Sequence, residues 1–205
     1  APPAKRETTL REIFMLDRCL AEIEAVVFDA VGTVIEPSPP VAVAYAMAAA
    51  RQGVQLDLSL VRERFHHAFR LDDPCQDRFT TSEPREYRRW RVIVDNVLPE
   101  VPDLDRCFQE LWDHFGRAES WSCFDDVPPL LDRLDDLRIP YVLASNFDAR
   151  LRDVLSGLDE LRDRFVSPVI SSEIGFRKPH PGFYREVFER LGVDPSRVLW
   201  IGDDP

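Results

Sequence analysis

The stretch that decides the fold reads Val26-Val27-Phe28-Asp29-Ala30-Val31-Gly32-Thr33-Val34. Its first three residues are apolar with no polar alternation, which is typical of a strand buried on both faces of a parallel sheet. The run ends in Asp29, and Gly32 and Thr33 then turn the chain. Open α/β sheets place their binding sites at the carboxyl ends of such strands. Asp29 is therefore a candidate active-site carboxylate, although Asp at a strand end also commonly caps a turn.

The composition is that of an ordinary globular protein, and it restricts the class of partner. Of the 205 residues, 44% are hydrophobic and 31% are charged, and the formal net charge is −11. A chain of this length can form one or two domains with a buried core. Nucleic acids and anionic membranes attract basic surfaces, so the charge argues against both as partners. A small anionic substrate remains compatible, because a local site can be positive within an acidic protein.

The sequence also bears on the cellular compartment. No apolar run approaches the roughly 20 residues that span a bilayer, and the first residues lack the apolar core of a secretory signal. The cysteines form no CxxC pair, and the neighbouring His66 and His67 have no second pair of ligands at a useful spacing. These patterns favour a cytoplasmic protein with free thiols and argue against a zinc site. The four scattered cysteines are Cys19, Cys75, Cys107 and Cys123.

The segment after the opening strand is predicted to be entirely helical. Prolines within residues 36–40 are expected to stop any regular element there. Apolar residues then recur at helical spacing in four successive segments, which together predict a helical bundle. A further amphipathic helix is predicted near the start of the chain, over residues 9–22. The four predicted bundle helices cover residues 41–52, 58–71, 82–98 and 104–118.

From Phe124 onward the predicted helices and strands alternate, which indicates a parallel α/β layer. The fold class expected is therefore α/β, with a Rossmann-like parallel sheet and an inserted helical bundle. The predicted domains are residues 1–37 with 124–205 for the sheet, and residues 38–123 for the insertion. The predicted helices cover residues 127–137, 149–158 and 181–191, and the strands cover residues 139–144, part of 165–171, and 198–201.

Polar residues follow three of the predicted strands. Asp29 follows the first, Ser145-Asn146 follows the second, and Asp203-Asp204 follows the last. Lys178 opens a predicted helix within Gly175-Phe-Arg-Lys-Pro. Each of these features alone also suits a turn or a solvated surface charge. Together they converge on one edge of the sheet, where we expect a single site.

The chemistry of this set favours phosphoryl transfer. Carboxylates brought close together repel one another unless cations stabilise them. Lys178 is one such cation, and a hard divalent ion with oxygen ligands, Mg²⁺ in particular, is the other natural choice. Asp29 would attack phosphorus to give an aspartyl-phosphate. Ser145 and Lys178 would hold the phosphoryl oxygens as charge develops.

The pattern resembles the haloacid dehalogenase-like hydrolase superfamily. The resemblance rests on Phe28-Asp29-Ala-Val-Gly-Thr33, Ala144-Ser145-Asn146, Lys178-Pro179 and Gly202-Asp203-Asp204 occurring in this order. The insertion after the first motif resembles the helical cap of the subfamily that includes dehalogenases and many small-molecule phosphatases. The resemblance implies a nucleophile at Asp29, with substrate bound by Thr33, Ser145, Asn146 and Lys178. It implies a metal site formed by Asp29, the Val31 carbonyl and Asp203, with Asp204 as a weaker ligand candidate.

The sequence departs from the phosphatases of this superfamily at Val31. Those enzymes carry an Asp there, which protonates the leaving oxygen and later activates water. Loss of a general acid typically costs about 10²–10⁴-fold in rate. One hypothesis is thus a weak phosphatase of small-molecule phosphates, or one restricted to good leaving groups such as acyl phosphates. Another hypothesis is a member that binds a phosphorylated ligand or a protein and has lost turnover.

A haloacid dehalogenase is the third hypothesis. Halide departs without a proton, so Val31 would not hinder that reaction. Against this hypothesis, dehalogenation needs no metal, whereas Asp203 suggests a metal site. A halide would also need a cap arginine, for which Arg51, Arg62 and Arg64 are candidates. A phosphonate-cleaving enzyme is excluded because it needs a cap lysine and the insertion contains none. If Phe65, Phe69 and Trp90 line the pocket, they would favour an apolar acid over a sugar phosphate.

Overall fold

The fold is known here from a computed structural model that describes residues 23–70 and 79–203. Four strands form a parallel sheet in the order β5-β4-β1-β6. They are β1 (Ala25–Phe28), β4 (Tyr141–Ser145), β5 (Val169–Ile170) and β6 (Val198–Ile201). The intervening strands β2 (Ile35–Pro37) and β3 (Trp121–Cys123) form a separate antiparallel pair. The predicted α/β class with a parallel sheet is confirmed.

Strand β1 occupies an inner position of the parallel sheet because all of its side chains are apolar and buried. Phe28 is level with Leu143 of β4 on one side and with Ile201 of β6 on the other. Its ring contacts those of Tyr141 and Phe165 edge-on, with centroids 6.4 and 6.0 Å apart. These registers bring the carboxyl ends of β1, β4 and β6 together at one edge of the sheet.

Four helices lie between β2 and β3: α1 (Val41–Ala50), α2 (Leu58–Arg70), α3 (Glu83–Val97) and α4 (Leu104–Phe115). They bury an apolar cluster of their own, distinct from the clusters on the two faces of the sheet. Tyr45, Val61 and Ile93 belong to it and are at most 2% exposed. The helical insertion therefore has its own core. The placement of the domain boundaries at residues 38 and 123 stays a prediction.

The remaining helices flank the sheet: α5 (Val127–Leu137), α6 (Arg150–Gly157), α7 (Ser171–Ile174) and α8 (Pro181–Leu191). The sequence pattern predicted the bounds of α5 and α8 and missed the single turn of α7. The helix predicted over residues 9–22 lies outside the described residues. In the part of the chain that is described, no helix is both long and apolar enough to span a membrane.

The prediction that residues 36–40 hold no regular element is wrong for its first two residues. Pro37 ends β2, which pairs with β3 so that Ile35 is opposite Cys123 and Pro37 is opposite Trp121. Proline is tolerated there because a two-stranded ribbon has open edges that need no N–H donor. The chain segments that enter and leave the helical insertion are thus hydrogen-bonded to each other.

A second attachment joins the insertion to the sheet through Phe79–Thr81, which we call the strap. The Thr81 amide donates to the carbonyl of Gly175 (3.0 Å), and the Arg177 amide donates to the carbonyl of Phe79 (2.8 Å). Just beyond the strap, Glu86 is 2% exposed and accepts a hydrogen bond of 2.5 Å from the Thr81 hydroxyl. The strap therefore fixes the insertion to the loop that precedes Lys178.

Helix α3 makes a further contact with the sheet domain through Glu83. Its Oε1 accepts a hydrogen bond of 2.9 Å from the Ala149 amide, at the start of α6. The same oxygen accepts the hydroxyl of Ser172 in α7. One carboxylate of the insertion thus satisfies donors from two core helices.

An ion pair at the start of α6 links this helix to α4. Asp148 is completely buried, and its two oxygens accept from Nε and an NH2 group of Arg150, both at 2.7 Å. The same guanidinium donates to the Trp112 carbonyl (2.5 Å) and lies 3.3 Å from the centroid of the Trp112 ring. The Arg150 guanidinium thus contacts the Asp148 carboxylate, the Trp112 carbonyl and the Trp112 ring.

Replacing Asp148 by Asn should destabilise the protein strongly, because it removes the buried carboxylate that neutralises the partly buried Arg150 guanidinium. Breaking a buried pair in this way costs about 3–5 kcal/mol. The matched control is Asp153→Asn, which removes an exposed carboxylate of the same helix and should change stability by no more than about 0.5 kcal/mol. Urea unfolding measures both variants, and equal stabilities would contradict the role given to this pair.

Candidate active site

Three strand ends deliver the candidate site residues to one cavity. Asp29 directly follows β1, and its amide donates to the Ile201 carbonyl of β6 at 2.8 Å. Ser145 is the last residue of β4 and is 3% exposed, and Asp203 lies two residues beyond β6. All three residues line the same cavity of about 1020 Å³. The arrangement follows from the parallel pairing of β1 with both neighbours.

Lys178 is held directly against Asp29. Its Nζ lies 2.8 Å from Asp29 Oδ1 and donates to the Ala144 carbonyl at 3.0 Å. The Ala30 amide also donates to Asp29 Oδ1, at 2.8 Å. The side chain of Asn146 secures the lysine backbone, since its Oδ1 accepts from the Lys178 amide (2.7 Å) and its Nδ2 donates to the Lys178 carbonyl (3.2 Å). The ion pair thus has a rigid support.

Several amides of the loop after Asp29 donate hydrogen bonds to a single backbone carbonyl. The oxygen of Ala30 accepts from the amides of Thr33, Val34 and Ile35 at 3.3, 2.8 and 2.9 Å. Gly32 has φ +84°, a left-handed conformation that favours glycine. A Cβ at this position would overlap the Asp203 carboxylate. Glycine therefore serves both the turn and the close approach of Asp203.

This geometry fits the predicted Mg²⁺. The carboxylate of Asp203 lies against the loop that carries Asp29 and Val31, and carboxylate and carbonyl oxygens are the donors that Mg²⁺ prefers. Within residues 23–70 and 79–203, no group of three or more His, Cys, Asp and Glu side chains could hold a metal. A third protein ligand from these residues would therefore be a backbone oxygen, such as the Val31 carbonyl.

Most of the predicted site residues are brought together. Asp29, Val31, Ser145, Asn146, Lys178 and Asp203 all line the cavity. Thr33 is not among the lining residues, and its hydroxyl is buried with no hydrogen-bond partner among the residues that the structure describes. Asp204 lies outside the described residues.

The walls of the cavity are largely aromatic. Phe65, Phe69 and Trp90 line it, as the sequence suggested, and their rings contact one another with centroids 5.7 to 6.5 Å apart. The aromatic residues of α4 lie in or against the core of the insertion, as their helical spacing predicts, and they also line the cavity. Helical spacing does not distinguish a residue that packs only in the core from one that also lines a cavity. The further aromatic residues of the lining are Tyr45, Phe108, Trp112, Phe115, Trp121, Phe147, Tyr184 and Trp200.

The arginines of the cavity differ from those considered from the sequence. Arg51, Arg62 and Arg64 do not line it. Arg64 instead makes two hydrogen bonds to the Glu100 carboxylate, at 2.9 and 2.7 Å. The lining arginines are Arg89 and Arg150, and Arg150 is occupied by Asp148 as described.

The described cysteines are poor candidates for a nucleophile. Burial raises the pKa of the Cys107 thiol and of the Cys123 thiol to about 11 in each case. Both thiols therefore stay protonated near neutral pH, and the thiolate is the reactive form. Burial likewise raises the pKa of the Tyr45 phenol, which stays a neutral hydroxyl.

Comparisons with known proteins give a consistent family. A family model described as haloacid dehalogenase-like hydrolase matches residues 23–205. Haloacid dehalogenase-like hydrolase domain-containing protein 3 of Mus musculus is 27% identical over 188 residues, which are 89% of this chain and 74% of that protein. The N-acetylmuramic acid 6-phosphate phosphatase of Pseudomonas aeruginosa is 26% identical over 185 residues, with the same two shares.

Solved structures show the same fold. A defluorinating L-2-haloacid dehalogenase superposes with a TM-score of 0.64 and 21% identity, over 87% of this chain and 72% of its own. A hydrolase from Deinococcus radiodurans, with bound phosphate and sodium, superposes with a TM-score of 0.57 and 22% identity, over 88% and 72%. At these identities the likeness concerns the fold.

Replacing Gly32 by Ala should displace the Asp203 carboxylate. Gly53→Ala is a matched control, because Gly53 has φ +82° and open space where its Cβ would lie. Both variants should lose about 1–2 kcal/mol from the left-handed backbone. Only Gly32→Ala should also lose the rise in melting temperature caused by MgCl₂. Thermal unfolding with and without MgCl₂ measures this, and an unchanged response in Gly32→Ala would contradict the assignment of Asp203.

Proposed function

Because this chain belongs to the haloacid dehalogenase-like hydrolases, we propose that it is a Mg²⁺-dependent phosphatase of a small anionic phosphate compound. The observation that carries the proposal is the 2.8 Å ion pair between Lys178 Nζ and Asp29 Oδ1 at the strand ends that line the cavity. A carboxylate held by a lysine beside a hydroxyl and a second carboxylate suits phosphoryl transfer. A curated relative that is named as a phosphatase supports it.

Asp29 is proposed as the nucleophile. Its Oδ1 accepts from Lys178 Nζ and from the Ala30 amide, both at 2.8 Å. These two donors fix the plane of the carboxylate and leave Oδ2 as the oxygen proposed to attack phosphorus. Holding the carboxylate in place before the reaction lowers the entropic part of the barrier.

Donors around Asp29 would bind the phosphoryl group. The Ser145 hydroxyl and the Asn146 backbone amide follow β4 at the same edge, and Lys178 would bridge the nucleophile and the phosphoryl oxygens. Thr33 is the remaining substrate-binding candidate from the sequence, and it lies outside the lining of the cavity. Fixed donors of this kind stabilise the charge that develops in the transition state.

Asp29, Asp203 and the Val31 carbonyl would hold the metal. When bound, Mg²⁺ would neutralise phosphoryl charge and polarise the phosphorus. The protein's own part is to keep two carboxylates close together without strong repulsion, which the Lys178 ammonium assists.

Val31 limits the reaction. It lines the cavity near Asp29 and has no proton to give or take. A leaving group must then depart unprotonated, and water must attack the aspartyl-phosphate without a base at this position. We therefore propose low activity on alkyl phosphates, in line with the usual contribution of a general acid of about 10²–10⁴-fold.

We also propose that residues 38–123 act as a cap over residues 1–37 and 124–205. Side chains of α1, α2, α3 and α4 form one wall of the cavity, and the strand ends form the other. A cap of this kind excludes water and selects the substrate. The cytoplasmic location stays a prediction.

A haloacid dehalogenase is the second candidate. It is favoured by Val31, which halide departure does not penalise, and by the aromatic walls of the cavity. Fold likeness to a solved L-2-haloacid dehalogenase is compatible with it. The closeness of Asp203 to the Asp29 loop favours the phosphatase instead, because displacement of halide by a carboxylate requires no metal.

A panel of aryl, acyl and alkyl phosphates and 2-haloacids, assayed with MgCl₂ and with EDTA, should show phosphate release only with Mg²⁺. Asp29→Asn should abolish it, because the amide is a poor nucleophile, while the exposed Asp153→Asn should not alter it. The readouts are inorganic phosphate and free halide. Halide release that EDTA leaves unchanged would establish the second candidate.

Val31→Asp should raise turnover of alkyl phosphates by about 10²–10⁴-fold, because it supplies the missing acid. Val31→Asn is the matched control, since it has nearly the same shape and cannot donate a carboxyl proton. Steady-state phosphate release measures both. Equal rates for Asp and Asn at this position would show that the absent acid is not what limits the reaction.

A further inference from the structure

The aromatic lining of the cavity indicates which kind of leaving group it can accept. Phe65 and Phe69 stack at 5.7 Å with an interplanar angle of 23°, and Phe65 and Trp90 stack at 6.5 Å and 25°. Phe69 lies in the last turn of α2 and is 45% exposed. Phe69 and Trp90 are tilted by 48° to each other, and the three rings together form an apolar aromatic wall on the insertion side of the cavity.

Few polar groups are present on that side. The insertion contributes Val41, Val94 and Leu111 to the lining besides its aromatic residues, and its charged member is Arg89. Arg89 already donates to the Phe69 carbonyl at 3.1 Å and lies 4.7 Å from the centroid of the Phe69 ring. Trp121, near the end of the insertion, donates its indole N–H to the Phe115 carbonyl at 3.0 Å. The hydrogen-bonding groups of the insertion side are thus few, chiefly the Arg89 guanidinium and the Tyr45 hydroxyl.

This lining disfavours a sugar. Each hydroxyl that is buried without a partner carries a desolvation penalty, and a sugar would bring several of them to this wall. An aromatic ring pays no such penalty and gains by stacking on aromatic faces. The cavity volume of about 1020 Å³ leaves room for one or two fused rings beside the phosphoryl group.

The absence of an acid at Val31 independently favours an aromatic leaving group. Without an acid at this position the leaving oxygen departs as an anion. A phenol has a pKa of about 10 and a carboxylic acid about 4, whereas an alkoxide is nearly as basic as hydroxide, whose parent water has a pKa of about 15.7. A phenolic or aromatic carboxylic leaving group therefore satisfies both constraints: it is a weak base, and it carries a ring that can stack on the wall.

We propose that the substrate is an aromatic phosphate, in which a flat apolar ring system is joined to phosphorus through a phenolic or carboxylic oxygen. This inference rests on the phosphatase function proposed above. Lys178 and Asp29 bind the phosphoryl end, and the ring lies against Phe65, Phe69 and Trp90.

The reaction balances without a general acid. As the bond from Asp29 Oδ2 to phosphorus forms, the bond from phosphorus to the leaving oxygen breaks, and its electron pair stays on the phenolate or carboxylate. Water then attacks phosphorus and releases the Asp29 carboxylate. The products are the aromatic anion and dihydrogen phosphate, so the total charge of the substrate dianion is conserved.

The test compares kcat/KM for 2-naphthyl phosphate, benzoyl phosphate, acetyl phosphate and glucose 6-phosphate with MgCl₂ present. Benzoyl phosphate and acetyl phosphate both have a carboxylic leaving oxygen, so benzoyl phosphate should be preferred by about two- to tenfold from aromatic stacking alone. 2-Naphthyl phosphate should be preferred over glucose 6-phosphate by at least as much, because its phenolate is also the weaker base. The naphthyl and benzoyl arms distinguish a phenolic from a carboxylic leaving oxygen. A series of substituted phenyl phosphates should show kcat falling steeply as the leaving-group pKa rises, and Val31→Asp should flatten that slope.

Trp90→Leu keeps the wall apolar but removes its aromatic face, and should lower the ratio of kcat/KM for 2-naphthyl phosphate over acetyl phosphate by about tenfold. Tyr87→Leu is the matched control, because Tyr87 is an aromatic residue of the same helix that does not line the cavity. The ratio should be unchanged in that variant. A circular dichroism spectrum and melting curve show whether each variant is folded.

The outcomes separate the two proposals. If acetyl phosphate and glucose 6-phosphate are hydrolysed as efficiently as the aromatic compounds, the substrate class is wrong and the phosphatase function stands. If Trp90→Leu and Tyr87→Leu change the ratio equally, the aromatic wall does not select the substrate. If no compound releases phosphate, the proposed function fails and this inference fails with it.

Discussion

The parallel pairing of β1 with β4 on one side and β6 on the other is the constraint on which the rest of the structure depends. Parallel strands carry their carboxyl ends to the same edge, so a single set of backbone registers places Asp29, Ser145 and Asp203 around one cavity. The pairing requires β1 to be buried on both faces, which its apolar residues allow. The same burial supports the site, because the loop after β1 is anchored at its base by a hydrogen bond from the Asp29 amide to β6. The chemistry at this edge is thus a consequence of sheet formation.

Placement of the lysine needs a second layer of contacts. Lys178 follows β4 by more than thirty residues, and contacts with the Asn146 side chain, the Ala144 carbonyl and Asp29 hold it at the strand ends. Such reciprocal amide bonds orient a charged group more precisely than the long lysine stem could alone. The site therefore combines one anion fixed by the sheet with one cation fixed by a loop. Its local charge is far less negative than the net charge of −11 would suggest.

Sequence reasoning recovers what depends on local pattern. The apolar run at β1, the helices α5 and α8, and the polar residues after each strand are readable because they depend on neighbours along the chain. The pairing of β2 with β3 was missed, because it joins residues far apart in sequence and the prolines beside Pro37 conceal it. The side-chain role of Asn146 was missed for the same reason, since its partner is Lys178. The aromatic residues of α4 have helical spacing whether they face a core or a cavity, so spacing alone could not assign them.

The strap has a consequence for how this enzyme could change. Phe79–Thr81 belongs to the insertion that forms the substrate wall, yet it pairs with the loop that leads into Lys178. The proposed substrate wall and the proposed catalytic lysine are thus mechanically joined, rather than carried by separable modules. Exchanging the insertion for one from a relative would alter specificity and also release one side of the lysine loop. New specificities should therefore evolve through substitutions on the cavity wall, with the strap retained, and not through wholesale replacement of the helical segment.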